Sequence, residues 1–105
     1  MTRTDAAWFE LKDRARLRAK GLCEYCGGAI YGKADLHHRW YSSYDSLEML
    51  MYVHQRCHSY IHFGGKLMAV KGSLADQGDD GRRDTATWRQ YLNTTTPCYL
   101  KSPSA

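Results

Sequence analysis

The chain has 105 residues, 43% of them hydrophobic and 12% aromatic, with a formal net charge of +4 and a pI near 8.9. A chain this short forms one small domain whose apolar burial leaves little stability to spare, so a structural metal is a natural supplement. No apolar run approaches the roughly 20 residues that cross a bilayer and the N-terminus lacks an apolar signal core, so a soluble protein in a reducing, cytoplasmic setting is expected, its cysteines thiolates rather than disulfides.

The charge excess admits an anionic partner without requiring one. Residues 1–22 predict a basic helix, capped by Thr2 or Thr4 near Asp5 and ended by a left-handed Gly21. Trp8, Leu11 and Ala15 form its apolar stripe, and Glu10 and Arg14 an i,i+4 pair. Lys12, Arg16 and Lys20 form a basic row, which reads as a solvated face unless a site for nucleic acid lies downstream.

Next comes Cys23-Glu24-Tyr25-Cys26-Gly27-Gly28, which reads as a zinc knuckle, its glycines letting backbone amides turn toward the sulfurs. A redox pair would want a βαβ context, which is absent. The same two-residue spacing recurs in His54-Gln55-Arg56-Cys57. Cys23, Cys26, His54 and Cys57 together make a tetrahedral Cys3His site for zinc.

The 27 residues between the half-sites suggest that the metal closes the neck of a structured insertion. Residues 34–39 predict a strand, and Asp45-Ser46-Leu47-Glu48 a D-x-x-E cap on a brief helical turn. Residues 50–53 predict a second strand, and 55–63 a helix stopped by Gly64-Gly65. That is a ββα unit.

All five histidines lie between His37 and His62. On the helix, His58 and His62 are four apart and share a face, so they can bind one ion. His37 can supply a third ligand. His38 has no evident structural duty, and a neutral imidazole beside a cation suits a general base. Adjacent strand residues face opposite ways, so His37 and His38 serve one site only if the strand ends or bulges between them.

The run from Cys23-x-x-Cys26-Gly27 through Leu36-His37-His38 to His54-x-x-Cys57-His58-x-x-x-His62 resembles the HNH (His-Me finger) endonucleases, over roughly residues 8–63. The resemblance implies an α+β fold: a small ββα-metal nuclease core, 23–63, with a structural Zn2+, flanked by the N-terminal helix and a C-terminal extension, 64–105. It implies that His37, His58 and His62 hold a catalytic divalent ion and that His38 is the general base. The activity implied is one-metal-ion hydrolysis of phosphodiester bonds in DNA, nicking as a monomer, with double-strand breaks requiring a dimer or two encounters. An all-imidazole site favours Mn2+ over Mg2+. The alternatives are a catalytically weak, zinc-braced nucleic-acid-binding module and a nuclease that acts on RNA.

One position departs from the family pattern. Met49 stands where an asparagine ties down the loop of the general base; Ser42, Ser43 or Ser46 are other candidates for that tie, and Met49→Asn is expected to raise or preserve activity. Arg39 and Arg56 flank the site as phosphate contacts or as solvent-facing residues. Beyond Gly65, residues 67–70 suggest a short strand, and 84–93 a helix docking through Trp88, Tyr91 and Leu92. Cys98 is a spare thiol, and a mobile tail is expected from Lys101 to Ala105.

Overall fold

The computed structural model describes residues 5–65, 67–82 and 84–97. The cap at Thr2 or Thr4, Cys98 and the tail from Lys101 lie outside the described residues. Helix α1 (Asp5–Ala19) contains no glycine, proline or β-branched residue, so its propensity is high throughout. Its inner stripe runs from Trp8, Leu11 and Ala15 on to Arg18 and Ala19, and the two small buried alanines let the helix backbone lie close to the sheet. Lys20 and Gly21 are both left-handed, at φ 58° and 75°, so the chain leaves the helix one residue before the glycine.

Strands β1 (Ala34–His38) and β2 (Leu50–His54) pair antiparallel, with Ala34 opposite His54 and His38 opposite Leu50. Strand alternation divides their side chains between two cores. Ala34, Leu36, Leu50 and Tyr52 pack with Ala15 and Ala19 of α1. Met51 and Val53 pack on the other face with Cys57 and Ile61 of α2 (Gln55–Phe63) and with Trp88 of α3 (Ala86–Thr95). Burial on both faces explains why β2 is an unbroken apolar run rather than an alternating one.

Helix α2 stops where expected: Gly64 is left-handed at φ 69°, and its amide donates to the Tyr60 carbonyl at 2.7 Å. Helix α3 starts two residues later than its sequence suggests, because the Thr85 hydroxyl caps it by accepting from the Trp88 amide at 3.1 Å. Residues 67–70 form no strand; Val70 donates to the Cys26 carbonyl and accepts from the Ser73 amide, which makes a turn instead of a ladder. Among the described residues, no helix is long and apolar enough to cross a membrane.

Two positions in the loop between the strands depart from expectation. The turn there is a 3-10 turn, Leu47–Met49, with Ser46 at its N-cap position and no side-chain cap. Asp45 does not cap it, because its carboxylate is bonded to His38. Met49 is only 2% exposed and packs in the α1-side core. An asparagine at 49 would bury an amide among apolar groups, so Met49→Asn is expected to lower stability by about 2–4 kcal/mol, read as a lower urea midpoint. A midpoint unchanged by the substitution would show that the site accommodates an amide.

Candidate metal centres

The Cys23–Cys26 turn is shaped by the chain around it. Gly27 sits at φ 85°, and a Cβ there would approach Ser73 Cβ to 3.0 Å and Val70 Cβ to 3.2 Å, so only glycine fits. The turn aims amides at the sulfurs: Cys26 N lies 3.4 Å from Cys23 Sγ, and Gly28 N 3.4 Å from Cys26 Sγ. His54 closes the cluster from the joint between β2 and α2, with Cys57 one helical turn further on.

The geometry fits an ion. His54 donates through Nε2 to the Ala29 carbonyl at 2.9 Å, which turns Nδ1 inward. That atom lies 3.4 Å from Cys26 Sγ and 3.6 Å from Cys57 Sγ. Bonds of about 2.0–2.3 Å to a tetrahedral zinc give ligand–ligand edges of roughly 3.3–3.8 Å. All four ligand atoms of Cys23, Cys26, His54 and Cys57 lie within 4.8 Å of one another, and the three cysteines are buried and free. A sulfur–sulfur hydrogen bond with Cys57 pulls the Cys23 thiol down to about 4 and, with burial, pushes Cys57 up. A dication at the centre of the cluster would take the place of the proton in that Cys23–Cys57 bond.

A second group, His37, His58 and His62, also has its ligand atoms within 4.8 Å. Strand alternation puts Asp35 and His37 on the α2 face of β1, and the four-residue helical spacing brings His58 and His62 to meet them. The three rings pack edge-on, with centroids 4.7 to 5.2 Å apart. His58 Nδ1 is bonded to Asp35 Oδ2 at 2.9 Å, which directs Nε2 toward His62 Nε2, 3.0 Å away. His37 donates through Nε2 to the Gly81 carbonyl, leaving a buried Nδ1 without a partner. A buried ring nitrogen without a hydrogen-bond partner, on one of three clustered imidazoles, is compatible with a cation site. Burial lowers the His37 pKa to about 4 against the Gly81 bond, and burial and His58 lower that of His62, so both keep a lone pair at pH 7.

His38 is not brought into this trio. The strand pairs without a bulge through its last residue, so His38 faces α1. There it stacks between Trp8, at 5.8 Å between centroids, and Tyr41, at 5.1 Å. Its Nε2 is bonded to Asp45 Oδ1 at 2.9 Å. Asp45 thus links His38 to the loop between the strands, while Ser42 bonds the Tyr44 carbonyl at 2.6 Å.

Arg39 is neither a phosphate contact nor a surface residue. It is fully buried, bonded to both Asp79 oxygens at 3.1 and 3.2 Å and to Thr85 Oγ1 at 3.2 Å, with its guanidinium over the Trp88 ring. Arg56 is exposed, which is compatible with both of its readings. The sequence reading also passed over Asp35, Gly81 and Arg82. Asp35 was findable, since it lies two residues before His37 and so on the same strand face. Gly81 and Arg82 gave no local signal: Gly81 meets His37 from 44 residues away, and Arg82 Nε donates to the Ile61 carbonyl at 2.9 Å and Nη2 to that of His62 at 2.9 Å, gripping the end of α2.

No family model, curated protein or solved structure matches the chain. The small α+β fold and the Cys3His cluster are compatible with an HNH-like zinc module.

Proposed function

We propose that this protein is a metal-dependent endonuclease of the HNH type, hydrolysing phosphodiester bonds in DNA around a zinc-braced core. The observation that carries the reading is that one helix, α2, shares its ligands between a Cys3His cluster and a three-histidine cluster, next to a strand that ends in a carboxylate-held histidine. A divalent ion on His37, His58 and His62 would supply positive charge against the scissile phosphate and the departing 3′ oxygen. Asp45 fixes His38 through Nε2, which leaves Nδ1 to accept a proton from water as that water attacks phosphorus in line. Asp35 and Gly81 orient two of the imidazoles, as outer-shell partners do. Imidazole donors alone favour Mn2+ over Mg2+. His38 is the last residue of β1, and a phosphate lying across the strand end would reach both faces.

The divergence of His37 and His38 favours a second reading, a zinc-braced nucleic-acid-binding domain without hydrolysis. A supercoiled-plasmid assay separates the two, using wild type and His38→Ala in EDTA, Mg2+ or Mn2+, with nicked and linear forms read separately. Wild type is expected to nick in Mn2+, with His38→Ala slower by roughly 100- to 10,000-fold. Zinc-loaded wild type that binds DNA and cuts neither DNA nor a matched RNA would select the binding domain.

A further inference from the structure

Trp8, His38 and Tyr41 form a continuous stack of three rings. Interplanar angles are 13° between Trp8 and His38 and 16° between His38 and Tyr41. The inner end is anchored, because Trp8 packs against the α1-side core. The outer end is open: Tyr41 is 76% exposed although His38 covers one of its faces. A flat aromatic surface held rigid from within and bare on its outer side is a place where another ring completes the stack.

We infer that the outer face of Tyr41 stacks an unpaired nucleobase, so that the preferred substrate is single-stranded or locally unpaired nucleic acid. The inference rests on the nuclease reading above. Three observations favour a nucleobase over another partner. Tyr41 adjoins His38, which Asp45 holds at the strand end, so a base on the outer face of Tyr41 would set a neighbouring phosphate on the same side of the fold as His38. The chain carries a net charge of +4, suited to a polyanion. A base inside a duplex already has both faces stacked and offers none to Tyr41, whereas an unpaired base does, and base–aromatic stacking tolerates any sequence.

The test uses the zinc-loaded full chain with matched oligonucleotides: duplex, single strand, and single strands in which an abasic nucleotide or 2-aminopurine is walked through the sequence. Wild type and Tyr41→Phe are expected to prefer the single strand, and relaxed plasmid to be cut more slowly than supercoiled. Tyr41→Leu should raise KM on the base-bearing strand by roughly 5- to 100-fold. On the strand abasic at the stacking position, Tyr41→Leu and wild type should be equal. That equality separates stacking from a merely structural role, since a variant that had only loosened His38 would be slow on both.

Equal cleavage of duplex and single strand, or an equal loss on abasic and base-bearing strands, overturns the inference and leaves the nuclease reading standing. If nothing is cut but 2-aminopurine is quenched by wild type and not by Tyr41→Leu, stacking stands and hydrolysis falls. Neither cleavage nor quenching removes both.

Discussion

Cys26→Ser is expected to leave a chain that does not fold at 25 °C. The cluster draws its ligands from the turn after α1, the end of β2 and the start of α2, and it lies inside the core that also holds Met51, Val53, Ile61 and Trp88. Structural zinc sites contribute on the order of 10–16 kcal/mol of apparent binding free energy, against about 5–15 kcal/mol of net stability for a typical domain. Losing a thiolate ligand removes more than a domain of this size has in reserve. The check is far-UV circular dichroism with zinc stoichiometry, beside His62→Ala as a comparison, because His62 is exposed and belongs to the other cluster. The comparison should keep one zinc and a native spectrum. A cooperative, native-like melt for Cys26→Ser would refute a structural metal.

Glu24→Ala is expected to cost about 3–5 kcal/mol, which lowers the melting temperature by roughly 12–40 °C in a domain of this size. Glu24 lies between two cysteine ligands and is 3% exposed. It accepts from Arg18 Nε at 2.7 Å and Nη2 at 2.5 Å, from the Tyr52 amide at 2.8 Å and from the Tyr91 hydroxyl at 2.8 Å. Burial, reinforced by Glu24, pushes the Tyr91 phenol up, so it remains a donor. Arg18 also donates to the Leu47 and Leu50 carbonyls, which ties α1 to β2 and the turn before it. Without Glu24 the guanidinium is buried beside Trp88 with no counter-charge. Adding Arg18→Met should restore part of the loss by removing that orphaned charge. Thermal and urea unfolding of both variants read this directly. A Glu24→Ala protein melting within about 5 °C of wild type would mean the network is slack.

What could be read from the chain in advance is what repeats at a fixed period. Strand β2 follows from a short apolar run and α2 from its glycine stop and the doubled two-residue ligand spacing, and the ligand spacings brought the Cys3His and three-histidine groups together. Buried arginines were not legible, Arg39 being misread and Arg18 passed over, because their burial depends on partners remote in sequence. Arg39 meets Asp79 forty residues on, and Arg18 needs four acceptor atoms on three residues, Glu24, Leu47 and Leu50. Nothing local distinguishes such an arginine from its exposed neighbour Arg16, which pairs with Asp13. Asp45 illustrates a competition: its position fits a helix cap, but a nearby imidazole at 2.9 Å claimed the carboxylate. Met49 was judged by what it could not donate, although its side chain fills the core.

Cys57 and His58 are consecutive residues of α2 that point into different clusters. The helix that presents His58 and His62 is N-capped by His54 of the Cys3His group, so a dication held by that group would also set the shape of the histidine trio. Emptying the Cys3His cluster would therefore be felt at the trio, whereas an ion on the trio could leave with α2 still anchored at its first turn.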